Sequence, residues 1–146
     1  MHSLQLSSGP GLDCLLGLVA AVAFGALIGL ERRLRQHPAG LHMNALVALG
    51  SAAFVVAGVI AGDPTGPGRV AGQVVTGVGF LCAGVVLHQG ATVRGINTAA
   101  TVWCSSAVGV LAGMGMLAWA GVVTALVLFS NIVLHYVEHS LAPPQQ

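Results

Sequence analysis

The sequence predicts an all-α membrane protein, a polytopic bundle of about five transmembrane helices, and three observations support this fold class. Only 6% of the 146 residues are charged and 55% are hydrophobic, whereas a soluble domain carries about 25% charged residues. The mean hydropathy is +0.88, and the apolar residues form runs long enough to cross a hydrocarbon core of ~30 Å. The 21 glycines suit packed membrane helices, because small residues let helix backbones approach in lipid.

Five apolar segments are predicted to form one membrane-spanning domain, residues 1–139. The last apolar stretch, 96–137, is too long for one span, and we divide it at the glycine-containing break 113–115. The predicted helices cover residues 12–30, 43–61, 70–87, 97–112 and 116–137. Residues 140–146 are predicted to be a disordered tail, and no soluble C-terminal domain is expected.

The arginines set the predicted orientation. All five cations are arginines, and with five spans four of them share one side of the membrane with the C-terminus. Only Arg69 falls on the side of the N-terminus. Because cationic loops stay in the cytoplasm, we expect the N-terminus outside and the C-terminus inside. Residues 1–11 contain no Lys or Arg, so the first apolar run is predicted to be a retained span and not a cleaved signal peptide.

The stretch 94–109 combines a charge, a glycine and small alcohol-bearing residues within apolar sequence. On a helix, Asn97, Thr101 and Ser105 recur every four residues and form one stripe, which Thr98 flanks. A polar stripe on a membrane helix is expected to face other helices or a cavity. It predicts either interhelical hydrogen bonds or a small polar pocket for an ion, water or a partner helix. Asn97 is also a candidate N-cap.

Charged residues cluster where the first span is predicted to leave the membrane. Glu31 and Arg32 adjoin an unbroken apolar run, and Arg94 enters the membrane at the same predicted face. They form either a solvated interfacial cluster or a buried pair of Glu31 with Arg94 or Arg32, because a lone charge at membrane depth is costly and usually functional. Asp63, in the turn after the second span, is a further charged candidate.

Glycines spaced for helix packing recur along the chain. Gly25 with Gly29, and Gly109 with Gly113, fit the small-xxx-small pattern that brings membrane helices together. The third span adds three further candidates for close helix packing, Gly77, Gly79 and Gly84. Packing is favoured over dinucleotide binding, because the glycine spacing of this span does not complete the dinucleotide-binding fingerprint.

The sequence contains no convincing catalytic, cofactor-binding or metal-binding constellation, and we interpret the protein as a non-enzyme. Three scattered cysteines form no C-x-x-C pair, so neither a zinc site nor a disulfide framework is predicted. Residues 135–139 fit the inverted zinc-protease pattern H-x-x-E-H, but no third ligand is near in sequence, and an interfacial polar collar is favoured. Scattered carboxylates argue against a magnesium path. A net charge of +1 argues against a nucleic-acid partner.

Several blocks of the sequence resemble the MgtC/SapB family of membrane proteins in order and spacing over about residues 15–115. The blocks are GALIGLER at 25–32, PAGL at 38–41, NALVALG at 44–50, DP at 63–64, RVA at 69–71, GVGFLCAG at 77–84 and VRGINTAATVWC at 93–104. The resemblance is closest in the last block. The family's motif positions are occupied here by Gly29, Glu31, Arg32, Gly40, Asp63, Gly77, Gly79, Gly84, Arg94, Gly95, Asn97, Thr98, Ala100 and Trp103.

The resemblance implies a bacterial inner-membrane protein that regulates other membrane proteins through helix contacts. The family is linked to growth under magnesium limitation and, in some pathogens, to survival inside macrophages. The implied partners are the lipid bilayer and other membrane proteins, with ion-motive ATPase subunits as proposed targets and a homo-oligomer as a further alternative. The competing hypothesis is a small cation transporter or channel subunit, oligomerised around the polar stripe and Glu31.

The sequence departs from the family pattern in two places. Where the family motif often has an arginine and a threonine, this chain reads LHMN at 41–44. Longer members that resemble MgtC carry a soluble cytoplasmic domain after the last span, and we expect none here. Sensing or dimerisation through such a domain is therefore not expected.

Overall fold

A computed structural model describes residues 10–36, 40–87 and 95–141 and contains five helices within these ranges. The helices are α1 (Pro10–Leu34), α2 (Leu41–Ile60), α3 (Gly66–Leu87), α4 (Ile96–Gly113) and α5 (Leu117–Leu141). All five are long and apolar enough to cross a membrane. The predicted all-α, five-span fold class is confirmed, and the protein is a multi-pass membrane protein.

The break between α4 and α5 depends on glycine at position 115. Gly115 adopts a φ of 76°, a left-handed conformation that side-chain-bearing residues rarely adopt. Its N–H donates to the Ala112 carbonyl at 3.0 Å, and the next N–H, of Met116, donates to the Leu111 carbonyl at 2.9 Å. These bonds satisfy carbonyls at the end of α4 and reverse the chain. The two last helices are therefore separate spans.

Helix α4 lies at the centre of the bundle and contacts each of the other four helices. Its inner face meets α1 and α2 in a core that includes Ala48, Ala52, Val108 and Ala112. A second cluster joins α3 to α4 through Val74, Val78 and Val102. Small side chains dominate the first core because the helices meet almost backbone to backbone.

Four of the predicted packing glycines make this close approach possible. A Cβ on Gly25 or Gly29 would collide with the start of α2, and one on Gly109 or Gly113 would collide with the backbone of α2 at Ala48 and Ala52. The interfaces α1–α2 and α2–α4 therefore require glycine at these positions.

The three glycines predicted to pack within the third span do not do so in the described part of the chain. Apart from neighbouring backbone of α3 itself, no described atom lies within 4 Å of a Cβ built on Gly77, Gly79 or Gly84. Within the described bundle these three glycines therefore pack against no other helix, because glycine spacing shows how closely two helices can approach and not whether a second helix is present.

Several helices extend beyond their predicted ends. Helix α1 continues to Leu34, since Glu31 to Arg33 remain helical. Helix α3 begins at Gly66, and Pro67 occupies its first turn, a position that proline favours. Helix α5 continues to Leu141, so residues 140 and 141 are helical and not part of a disordered tail. Residues 142–146 lie outside the described residues.

Candidate functional site

Polar side chains from four helices meet at one end of the bundle. This end carries the last turns of α1 and α5 and the first turns of α2 and α4. The residues whose polar groups are linked there are Glu31, Arg32, Arg35, Asn44, Asn97, Thr101, Ser105 and Asn131. We call this set the polar cluster.

Arg32 joins α1 to α4 at the heart of the polar cluster. The residue is only 4% exposed. Its terminal nitrogen donates to the Asn97 carbonyl at 2.8 Å and to the Thr101 hydroxyl at 2.7 Å. The Nε of the same side chain is buried and has no hydrogen-bond partner among the described residues. Since hydrogen bonds from a charged group are about twice as strong as neutral ones, Arg32 holds the last turn of α1 against the first turns of α4.

Glu31 is largely buried, with 11% of its side chain exposed, and its ion-pair partner is Arg35 one turn later. Its Oε1 lies 2.5 Å from the Arg35 Nε, a close ion pair that lacks the alignment of a hydrogen bond. The Arg35 guanidinium also lies 5.8 Å from the centre of the Tyr136 ring, within the range of a cation–π contact. Glu31 and Arg32 are thus largely buried, and the described partner of the Glu31 carboxylate is Arg35, which was not among its predicted partners. Arg94, the other predicted partner, lies outside the described residues.

Asn131 connects α5 to this charged group. Its amide nitrogen lies 3.4 Å from the Glu31 Oε2, and its amide oxygen lies 3.4 Å from the Thr101 hydroxyl. Both distances are at the long limit of a hydrogen bond. Asn131 therefore links three helices, α1, α4 and α5, with one side chain.

A second set of bonds continues the cluster toward α2. The Ser105 hydroxyl lies 2.8 Å from the Asn44 Oδ1 and 3.1 Å from the Thr101 carbonyl, either of which accepts its proton. The Asn44 amide in turn donates to the Gly40 carbonyl at 3.0 Å, just before α2 begins. Both Asn44 and Ser105 are fully buried. Deeper in the bundle, a further α2–α4 bond joins two serine hydroxyls at 2.8 Å, those of Ser51 and Ser106.

The predicted stripe on α4 is only partly in the interior. Thr98, Thr101 and Ser105 are buried, but the Asn97 side chain is exposed, and only its backbone carbonyl takes part in the polar cluster. Asn97 is also not the N-cap of α4. That position is held by Gly95, with a φ of 94° and no side-chain cap.

Asp63 is remote from the polar cluster, in the turn at the other end of the bundle. Its Oδ1 accepts hydrogen bonds from the Thr65 N–H at 2.9 Å and the Thr65 hydroxyl at 2.8 Å, and its Oδ2 pairs with Arg69 at 2.6 Å. The bonds from Thr65 lower the pKa of Asp63 below the usual carboxyl range. Asp63 thus stabilises the α2–α3 turn, and its bonds with Thr65 and Arg69 are exposed.

Two amides of the polar cluster were missed in the sequence, Asn44 and Asn131. Each is a lone amide in an apolar run, and such a side chain at membrane depth needs a partner. This signal identifies a buried polar residue but not which helix it bonds.

The chemistry available to the polar cluster is hydrogen bonding and charge neutralisation. Among the described residues, no group of three or more His, Cys, Asp or Glu side chains is placed to hold a metal ion. The three cysteines are free. The H-x-x-E-H pattern at 135–139 falls largely outside the description, since the side chains of His135, Glu138 and His139 are not described.

The family of the chain follows from comparison with known proteins. The MgtC family model matches residues 18–140. The chain belongs to the MgtC family. Protein MgtC of Salmonella typhimurium is 51% identical over 120 residues, and Protein MgtC of Brucella abortus is 49% identical over 117 residues. An uncharacterized protein of Synechocystis sp. is 47% identical over 122 residues.

These alignments cover most of this chain and about half of each relative. The Salmonella alignment covers 82% of the chain and 52% of the relative, the Brucella alignment 80% and 49%, and the Synechocystis alignment 84% and 52%. The chain therefore spans about half the length of the curated relatives it matches. No solved structure is significantly similar to the chain. The family resemblance seen in the sequence is confirmed.

Proposed function

We propose that the chain is a membrane regulator of the bacterial inner membrane, acting in adaptation to low magnesium by helix–helix contact with other membrane proteins. Membership in the MgtC family, whose relatives here include proteins named MgtC from Salmonella and Brucella, supports the magnesium part of this proposal. Ion-motive ATPase subunits are the first partners to test. The same proposal includes a cytoplasmic C-terminus. It also includes a contribution to virulence where the bacterium that carries the protein is a pathogen.

The observation that carries the proposal is the contrast between hydroxyl groups that bond within the bundle and large apolar side chains on its outside. The hydroxyl groups of Thr101 and Ser105 form hydrogen bonds within the bundle. The outward faces of α3 and α5 expose large side chains, among them Phe80 at 83% and Phe129 at 62% exposed. In a membrane, faces of this kind contact lipid tails or other helices through van der Waals packing rather than through charge. A protein of this design is suited to contact other helices and not to conduct ions through its polar cluster.

Copurification from membranes in a mild detergent tests the proposal. We expect a partner membrane protein enriched over an unrelated five-span control, and its loss when Phe80 or Phe129 is changed to Ala. Leu27→Ala is the matched control, since Leu27 is an outward-facing residue of α1, 49% exposed. Absence of any enriched partner, or equal loss with Leu27→Ala, contradicts the proposal.

Growth of a deletion strain links the protein to magnesium. We expect slower growth at low than at high magnesium, restored by the wild-type gene and not by the variants that lose the partner. Equal growth of the deletion strain at both magnesium levels would contradict a role in adaptation to low magnesium.

A small cation transporter or channel subunit is the second candidate function. Glu31 and Arg32 favour it, because ionisable residues within membrane spans are costly and mark ion pathways by default. Cation flux into liposomes that contain the purified protein separates the two functions. Flux abolished by Glu31→Gln and Thr101→Val would establish transport, and flux equal to that of empty liposomes would dismiss it.

A further inference from the structure

An apolar groove runs between α2 and α3 on the outside of the bundle. Its volume is about 670 Å³, and no described helix covers it. Gly50 on α2 and Gly77 on α3 line it, and a Cβ built on either would meet no described atom within 4 Å beyond neighbouring backbone of its own helix. The buried side chains of Val74 and Val78 face into it from α3. The groove is therefore wide, apolar and open to the surrounding lipid.

The interior of the groove offers no free polar group to a ligand. The Ser51 hydroxyl, which also lines it, bonds the Val47 carbonyl at 2.7 Å and the Ser106 hydroxyl at 2.8 Å. A dry apolar space of this kind is filled by hydrocarbon rather than by water.

The groove has a polar end at the α2–α3 turn. Arg69 and, one helical turn further, Gln73 line this end. The Arg69 side chain is 74% exposed and pairs through one terminal nitrogen with Asp63, whose side chain is 41% exposed. A guanidinium has five N–H donors, so the pair with Asp63 leaves others for an anionic oxygen. The mouth thus presents a cation and an anion side by side.

The length of the groove matches one leaflet of a bilayer. Along α3 it extends from Arg69 to Leu81, which at 1.5 Å per residue is about 18 Å. One leaflet contributes about 15 Å of a hydrocarbon core of ~30 Å. A transmembrane helix crosses both leaflets and would extend past the groove, whereas a single acyl chain ends within it.

We propose that this groove binds one acyl chain of a phospholipid whose head group is zwitterionic and carries a primary ammonium, as in phosphatidylethanolamine. The phosphate binds Arg69, the ammonium binds Asp63, and the Gln73 amide donates to an ester carbonyl. The opposite charges of Arg69 and Asp63 match the opposite charges of this head group. An anionic lipid without an ammonium offers no cation to Asp63. The proposal is independent of the regulatory role, since it concerns lipid and not a protein partner.

Lipid retention by the full chain tests the groove. The protein is purified in a mild detergent, delipidated and titrated with phosphatidylethanolamine, and bound lipid is counted by native mass spectrometry. We expect about one lipid per chain and about tenfold weaker binding for Gly77→Leu, equivalent to ~1.4 kcal/mol. Gly79→Leu is the matched control, because its Cβ also meets open space but lies outside the groove. Equal phosphatidylethanolamine binding by the two variants overturns the proposal. A wild-type dimer that the Gly77→Leu variant alone fails to form also overturns it, because a second copy of the chain would then occupy the groove.

The head group is tested by comparing phosphatidylethanolamine with phosphatidylglycerol. Wild-type protein should prefer phosphatidylethanolamine. Arg69→Gln should weaken binding of both lipids, and Asp63→Asn should remove the preference while retaining binding. Equal binding of the two lipids by the wild-type protein, or an unchanged preference in Asp63→Asn, contradicts the assigned head group. Loss of a partner protein in copurification is a separate readout, so failure of this proposal and failure of the regulatory one are distinguishable.

Discussion

Helices α4 and α3 contain the same kinds of residues and use them in opposite ways. Both contain glycine, threonine and many small aliphatic side chains. Yet 56% of the residues in the apolar window of α4 are buried in the bundle, against 11% in α3. In α4, glycine admits the backbone of α2 and hydroxyls bond neighbouring helices. In α3, glycine borders open space and the Thr76 hydroxyl bonds only its own helix. The composition of a membrane helix therefore does not reveal whether it has a partner.

The largest expected effect comes from adding a methyl group to a glycine of each helix. Gly109→Ala places a Cβ against the Ala48 carbonyl, so α2 and α4 must separate, and we expect a loss of about 3 kcal/mol in the free energy of unfolding. Gly79→Ala meets nothing within 4 Å and should be neutral or stabilising by up to ~1 kcal/mol. Unfolding by SDS in mixed micelles measures both, and equal losses would remove the contrast between the helices.

Removing the charged link between α1 and α4 should have the next largest effect. Arg32→Met deletes two hydrogen bonds made by a buried guanidinium, and we expect a loss of about 2 kcal/mol in the free energy of unfolding. Arg33→Met is the control, since Arg33 is exposed, and it should change stability by less than ~0.5 kcal/mol. If the Arg32 variant were as stable as the control, the polar cluster would not hold the helices together.

A threonine in each helix gives a smaller, matched comparison. Thr101→Val removes a hydroxyl that accepts from Arg32 and donates within the cluster, and the expected loss of stability is about 1 kcal/mol. Thr76→Val removes a hydroxyl whose one bond, at 3.4 Å, is to its own helix at Gly72, and the expected change is close to zero. The same unfolding titration compares the two, and a loss in Thr76→Val that matches the loss in Thr101→Val would show that α3 has a polar partner.

The smallest effect concerns the exposed turn before α3. Because the pKa of Asp63 is lowered in the folded protein by its bonds with Thr65, its stabilising contribution is complete above the usual aspartate pKa of about 3.9 and is lost as pH falls through the folded pKa. The melting temperature should therefore fall in acid slightly more for wild type than for Asp63→Asn. Identical pH profiles would mean that the turn contributes nothing to stability.

The sequence was sufficient for the spans because burial in lipid demands long apolar runs, and for the α4–α5 break because Gly115 marks it. It was not sufficient for the pairing of Glu31. Three arginines, Arg32, Arg33 and Arg35, lie within four residues of that carboxylate, and only the folded helix shows that Arg35 pairs with it. Asn97 was misplaced for a geometric reason. Residues four apart on a helix drift by about 40° per step, so a stripe that is central at Thr101 and Ser105 has turned outward at Asn97.

The inward polarity of α4 also has a consequence for how the protein enters the membrane. Its apolar window has a mean hydropathy of 1.2, against 2.1 or above for α1, α2 and α5, and α4 is the shortest of the five described helices, at 18 residues. Such a segment partitions from the insertion machinery into lipid least readily on its own. Helices α1 and α2 are synthesised first and present the partners that its glycines and hydroxyls require. We therefore expect α4 to insert against the surface that α1 and α2 present, because these two helices precede it in the chain.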